Sequence, residues 1–285
     1  MPAKTSAKRN SKTTKNNKPT RNNKTTRAAK LSKHPVLNLA KYDLKYIVKG
    51  SGIFAILLIV CAIFFNLTCY SPQNIVTETG EFISTVTAPV IIQIIHTFLY
   101  NTIIGLIIGL LLNCTMRLWH RFNYSCYGDA SYLTHTLPIT KLQLWTAKFL
   151  VILGLATFVI VSIAIAFLIL NLTRYGQELI TIFGVGPGTD YPLYIFTVLA
   201  QIIFIMLCGV SGIIIGHRYI KHVGLKSVLC GFTLYVLGAC FMLAAIAPTS
   251  STTGILFSSG LVYTALIAGL YVLDYKLLHR GVNVE

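Results

Sequence analysis

The sequence predicts an all-α membrane protein with six transmembrane helices, both termini in the cytoplasm, an N-terminal interfacial helix and a short cytoplasmic helix. Hydrophobic residues make up 54% of the 285 residues, charged residues make up 11%, and the mean hydropathy is +0.69. A soluble domain usually has about 25% charged residues, so this composition excludes an ordinary soluble globular protein. The second observation is where the charge lies. Most of the 24 Lys and Arg fall in residues 1–49, where Asp43 is the only acid.

Residues 1–34 form a basic, low-complexity segment rich in Asn, Lys and Thr. It has few apolar residues to bury, so we expect a disordered tail. It also lacks the apolar stretch of a signal peptide. Three interpretations stay open: a solvated tail, an anchor on an anionic lipid surface, and a nucleic-acid-binding segment. The tail has no aromatic residue to stack on bases, so nucleic acid is the least favoured partner.

Residues 35–50 have the spacing of an amphipathic helix. Pro35 suits a helix start and Gly50 a helix end. One face is apolar and another carries a row of lysines: Val36, Ala40, Leu44 and Ile47 against Lys41, Lys45 and Lys49. We therefore expect a separate interfacial helix whose lysines meet lipid headgroups. The alternative is a simple extension of the first membrane span.

A transmembrane domain is predicted over residues 51–276. A helix needs roughly 20 apolar residues to cross about 30 Å of hydrocarbon. The charge-free stretch 227–273 is too long for one crossing, and its turn-like segment 248–254 divides it into two. The six expected spans are 51–70, 87–116, 142–172, 191–216, 227–247 and 255–274, followed by a cytoplasmic tail at 277–285.

The basic residues beyond residue 50 predict the orientation. If the basic N-terminal segment is cytoplasmic, all of these residues except Arg174 fall in cytoplasmic segments. This asymmetry follows the positive-inside rule and requires an even number of spans. We therefore expect a multi-pass protein of a cell membrane, such as a bacterial cytoplasmic membrane.

The longest cytoplasmic segment, 117–148, contains the signals of a short helix. Asp129 is a good N-cap, and Pro138 forces an end near Leu137. Thr140 and Gln143 then form a capping-box pattern that starts the third span. A short amphipathic helix between two spans can rest one face on the bundle and offer the other to a soluble partner.

Residues 128–148 resemble the cytoplasmic segment of ABC-2-type transporter permeases. The shared pattern is an acidic residue, Tyr-Leu, Leu-Pro and a later lysine, filled here by Asp129, Tyr132-Leu133, Leu137-Pro138 and Lys148. The N-terminal helix and the six spans also resemble the layout of that family. This chain has Ala130-Ser131 where many relatives have Glu-Gly.

The resemblance implies a permease subunit of an exporter that pairs with a separate ATP-binding cassette subunit. A second permease, identical or related, would complete the assembly. The short helix would be the coupling helix, seated on the ATPase by Asp129, Tyr132, Leu133, Leu137 and Pro138. ATP and Mg would bind the partner, because this chain has no phosphate-binding loop, catalytic motif or metal-ligand spacing. We therefore expect no enzyme activity and no cofactor in this chain.

The apolar runs 52–70, 82–116, 149–172, 191–216 and 227–273 contain no Asp, Glu, Lys or Arg, which favours an external energy source over an ion gradient. Gln93, His96 and Tyr100 share one helix face, which is either a polar lining of a pathway or a contact between helices. Two alternatives to a permease remain. One is an ATP-independent secondary carrier that uses His96, and the other is a membrane anchor whose tail recruits lipid or nucleic acid. Two GxxxG patterns, beginning at Gly105 and Gly212, indicate close helix packing.

Overall fold

The computed structural model describes residues 35–69, 90–128, 140–183, 190–218, 223–249 and 251–279. Regular structure in these ranges is entirely helical, and six of the helices are long and apolar enough to cross a membrane. The helices are α1 Pro35–Cys69, α2 Val90–Cys126, α3 Lys141–Leu170, α4 Arg174–Ile182, α5 Tyr191–Gly216, α6 Val223–Ile246 and α7 Thr252–His279. The predictions of an all-α fold and of six helices long and apolar enough to span a membrane are confirmed.

Helix α1 is continuous, whereas the sequence predicted one helix ending at Gly50 and another beginning after it. Its buried face runs through the expected boundary, from Asp43 and Ile47 to Ser51 and Leu58. Gly50 has a different use, because a Cβ at this position would collide with the guanidinium of Arg117. The glycine therefore permits close approach to α2 instead of ending the helix, and the first span carries its own N-terminal extension.

Helices α2 and α7 extend beyond their predicted spans, by continuing to Cys126 and His279. The break between α6 and α7 falls where the turn-like segment predicted it. The capping box before α3 is also confirmed, since Thr140 and Gln143 each bond the other's backbone N–H at 3.3 and 3.0 Å. The tail at 1–34, the coupling segment at 129–139 and the last residues at 280–285 lie outside the described residues.

Helix α4 was not predicted. It begins at Arg174, where Thr173 acts as N-cap and accepts a hydrogen bond from the Gly176 N–H at 3.3 Å. Leu179 and Ile180 are buried, so the helix packs one apolar face on the end of the bundle. Thr173 also donates to Asn66 Oδ1 at 2.8 Å, which ties this end of α3 to α1.

The six long helices form two groups. Helix α1 packs mainly on α2 and α3, and α5 packs mainly on α6 and α7. Helix α5 is the most buried of the six, and contacts of α5 with α2 and α3 join the groups. Helix α6 is largely exposed and apolar on its outer side, which suits a surface that faces lipid.

The two GxxxG patterns have different surroundings. A Cβ on Gly212 would lie 2.5 Å from the Ser227 carbonyl oxygen and 2.8 Å from the Gly231 Cα, and one on Gly216 would lie 2.7 Å from the Ser227 Cα. This pattern therefore brings the α5 and α6 backbones together, as expected for such motifs. A Cβ on Gly105 would meet nothing within 4 Å.

All Lys and Arg residues whose side chains are described lie at one end of the bundle. We call this the basic end; it holds the start of α1, the end of α2, the start of α3, the end of α5, the start of α6 and the end of α7. Hydrogen bonds connect these segments, including Lys141 Nζ to the His279 carbonyl at 3.4 Å and Arg218 Nη2 to the Leu277 carbonyl at 3.1 Å. The first and last described residues therefore lie at the same end, as an even number of crossings requires.

Candidate functional site

A buried charge cluster joins three helices at the basic end. Asp43 of α1 accepts a hydrogen bond from Lys148 Nζ of α3 at 2.6 Å and another from Arg121 Nε of α2 at 2.8 Å. Lys148 also donates to Ser125 Oγ of α2 at 2.8 Å. Asp43 is 3% exposed and Lys148 is 5% exposed, so this pair is shielded from solvent.

Burial makes the pair of Asp43 and Lys148 mutually dependent. Removing one partner of a buried ion pair typically costs about 3–5 kcal/mol, because the other charge is left uncompensated. Arg121 is more exposed, and solvent weakens its share of the interaction. The cluster therefore fixes the start of α1 against α2 and α3 through one carboxylate.

Along the chain, residues that bond to the cluster lie both before and after the predicted coupling segment. Ser125 lies in the last turn of α2, and Lys148 lies two turns into α3, so residues 129–139 connect two helices that both bond to the cluster. Lys148 is the lysine of the quoted family pattern. From the sequence, Asp43 could be identified only as the single acid of residues 1–49. Its pairing with Arg121 and Lys148, which are distant in the chain, could not be predicted from the residues around it.

A second buried carboxylate lies near the basic end. Asp274 of α7 is fully buried, and its Oδ2 accepts a hydrogen bond from Ser211 Oγ of α5 at 2.7 Å. Within the described part of the chain, its Oδ1 has no hydrogen-bond partner and no Lys or Arg forms an ion pair with it. A carboxylic acid inside an apolar bundle without a cation is a typical sign of a functional site.

The sequence analysis did not single out Asp274, because it directly follows the charge-free stretch 227–273, at the very end of the last expected span. A helical-face analysis could have found it. Tyr263, Ile267, Leu270 and Asp274 recur at helical spacing, and all four are buried or packed on the core. The residue belongs to the inner face of α7.

Tyr127 and His217 stack beside this carboxylate. Their ring centroids are 3.8 Å apart and the planes differ by 17°, which joins the end of α2 to the end of α5. Burial raises the pKa of the Tyr127 phenol above its usual value. The phenol therefore stays protonated, directly before the predicted coupling segment.

The predicted polar face of α2 lies toward the opposite end. His96 packs its ring on Phe65 of α1 at a centroid distance of 4.4 Å, and Tyr100 is half-buried against the core. The Gln93 side chain lies outside what the structure describes. The contact of His96 with α1 agrees with the interpretation of this face as a helix contact.

The five predicted coupling residues, Asp129, Tyr132, Leu133, Leu137 and Pro138, all lie in the undescribed stretch between α2 and α3. Their role stays a prediction, although the helices on both sides are described.

An apolar groove of about 300 Å³ lies between α2, α3 and α5. Its walls include Leu111, Val159, Ile163 and Ile202, and the Tyr194 hydroxyl at its edge donates to the Phe183 carbonyl. Such a surface suits an acyl chain or another apolar group. Across the ranges that the structure covers, no three His, Cys, Asp or Glu side chains come together as a metal site.

The chain was compared with known protein families, with curated proteins and with solved structures, and none of them matches it.

Proposed function

We propose that this chain is the transmembrane permease subunit of an ABC-2-type transporter, with export as its direction. A separate ATP-binding cassette subunit would bind ATP and Mg, and a second permease, identical or related, would complete the transporter. The observation that supports this most directly is the buried cluster of Asp43, Lys148 and Arg121, because it joins three helices around the predicted coupling segment.

The cluster gives a physical route from the segment to the spans. A partner that pushes residues 129–137 would move the end of α2 and the start of α3, because these residues lie between the two helices in the chain. Lys148 and Arg121 then carry the displacement to α1 through Asp43. Packed helices joined by buried bonds move as units, which is the kind of element that transmits coupling.

The placement of charge supports a cytoplasmic location for the basic end. Basic residues collect on the cytoplasmic side of membrane proteins, and each described Lys and Arg side chain lies at this end. A soluble ATPase would reach the predicted coupling segment from the same side. The protein is then a multi-pass protein of a cell membrane.

The experiment is capture of the partner by the full-length tagged chain, purified from its native membranes. We expect an ATP-binding cassette protein to co-purify with the wild type, and Leu133→Asp to reduce its recovery at least about tenfold, because a charge enters the docking face. Ser131→Asp is the matched control, since it adds the same charge on another face of the predicted coupling helix. Absence of any such ATPase, or equal recovery with both variants, would reject the proposal.

A proton-linked secondary carrier is the second candidate, and the environment of Asp274 favours it. A buried acid without a counter-cation is common in proton-driven transporters. This candidate predicts proton flux by the chain alone in sealed vesicles, and loss of that flux in Asp274→Asn. The first candidate predicts no flux without the ATPase.

A further inference from the structure

A cavity of about 310 Å³ lies between α1 and α2 at the basic end. Tyr46 contributes from α1, while Asn113, Met116, Arg117 and His120 contribute from α2. Met116 and Arg117 follow Asn113 by three and four positions, and His120 follows them by four and three, so the four α2 residues lie on one side of the helix. The cavity is distinct from the Asp43 cluster, although Arg121 of that cluster lies 5.3 Å from the centre of the Tyr46 ring.

Arg117 is held in a fixed position in this cavity. Its Nε donates to Asn113 Oδ1 at 2.6 Å, and the same oxygen accepts a weaker bond from Ser51 Oγ at 3.4 Å. The guanidinium lies against Gly50, where any larger residue would displace it. Within the described ranges Arg117 has no ion pair, so its outer N–H groups are positioned for an anion from outside.

The local charge favours such an anion. Asp43 is buried and already bonded to both Lys148 and Arg121. Lys45 and Lys49 are exposed on α1 beside the cavity. This part of the surface is therefore net positive, and a guanidinium binds a phosphate through two parallel N–H groups.

The surroundings suit a lipid better than a free anion. Ile53 on α1 and Met116 on α2 are 69% and 65% exposed, so apolar surface begins directly beside the charged groups. Further along the same face of α2, Gly105 and Gly109 have no side chains. A Cβ on Gly105 would meet nothing within 4 Å, and a Cβ on Gly109 would lie 3.6 Å from the Phe54 ring. An acyl chain can lie along this shallow surface while its headgroup occupies the cavity.

We propose that this cavity binds the phosphate of an anionic glycerophospholipid, with Arg117 as its main contact and His120 and Tyr46 at its rim. The bound lipid would hold α1 against α2 beside the Asp43 cluster. The site does not depend on the transporter function proposed above, since the cavity lies entirely within this chain.

The test is native mass spectrometry of the full chain in detergent, with added phosphatidylglycerol, phosphatidylcholine or glycerol phosphate. We expect retention of phosphatidylglycerol, and a loss of about tenfold in its affinity in Arg117→Gln, because a charge-assisted bond is removed. Lys276→Gln is the matched control. It removes the same charge from an exposed site on α7 and should change the affinity less than about twofold. The basic tail is present in both variants, so its contribution cancels.

Gly50→Ala provides a second variant that keeps every charge. Alanine is a better helix former than glycine, yet its Cβ displaces the Arg117 guanidinium. We expect this variant to remain folded and to bind phosphatidylglycerol more weakly than the wild type, because the guanidinium is moved from its place in the cavity. Equal retention of phosphatidylcholine, unchanged binding in both variants, or displacement of the lipid by glycerol phosphate at equal concentration would each overturn the proposal.

Discussion

At the scale of single residues, two buried carboxylates near the same end of the bundle have opposite surroundings. Asp43 accepts bonds from two cations, whereas Asp274 accepts one bond from a serine hydroxyl. The first can be stable as a charged group because its partners offset the loss of water. The second lies in an environment that favours a neutral acid, since an isolated buried charge is costly.

The same chemical change should therefore have different effects at the two positions. We expect Asp43→Asn to destabilise the protein by about 3–5 kcal/mol, because Lys148 is left buried without a counter-charge. Asp274→Asn should change stability by less than about 1 kcal/mol, since a neutral amide can keep the bond with Ser211. Unfolding in mixed micelles measures both. Equal losses would contradict this difference.

The coupling of Asp43 and Lys148 is tested by a double-mutant cycle. The pair Asp43→Asn with Lys148→Met should cost less than the sum of the two single changes, because the double variant leaves no lone buried charge. The same unfolding measurement applies. Asp190→Asn serves as a control, because Asp190 is an exposed acid at the other end of the bundle. Additive losses would show that the two residues act independently.

At the scale of helices, close packing separates two glycine patterns that look alike in the sequence. Gly212 and Gly216 lie against the α6 backbone, while Gly105 faces open space. The sequence predicted packing at both, because the spacing of glycines contains no information about the neighbouring helix. Helix α1 shows the same limit. The sequence predicts a helix end at Gly50, but the structure has a continuous helix in which Gly50 leaves room for the Arg117 guanidinium.

Alanine at these glycines should separate the two patterns. We expect Gly212→Ala to destabilise the protein by about 1–3 kcal/mol, because its Cβ has no room beside Ser227 and Gly231. Gly105→Ala should be neutral or stabilising by up to about 1 kcal/mol, as alanine favours helix. Thermal unfolding in detergent compares them directly. A larger loss at Gly105 than at Gly212 would contradict the packing described here.

At the scale of the whole molecule, the hydrophobic pattern determines most of the fold. The helical class, the six spans and the division near residue 250 follow from apolar run lengths, and the structure bears them out. Helix α4 and the inward position of Asp274 do not follow from run length. They depend on contacts with other helices, such as Thr173 with Asn66 and Asp274 with Ser211.

The orientation of the bundle is tested with single cysteines at its two ends. Lys276 lies at the basic end, and Leu172, which is 81% exposed, lies at the opposite end; each is replaced by cysteine in one variant. In sealed cells, a membrane-impermeant maleimide should label only Leu172→Cys, because the basic end faces the cytoplasm. The wild-type chain gives the background from its own cysteines. Labelling of Lys276→Cys in intact cells would reverse the orientation.

The most direct test of the proposed function measures ATP hydrolysis by the captured ATPase in vesicles that contain the full chain. We expect the wild type and Ser131→Asp to raise the hydrolysis rate above that of the ATPase alone, and Leu133→Asp to leave it unchanged. A rate that does not respond to the chain, or responds equally to Leu133→Asp, would contradict a permease driven through its coupling segment.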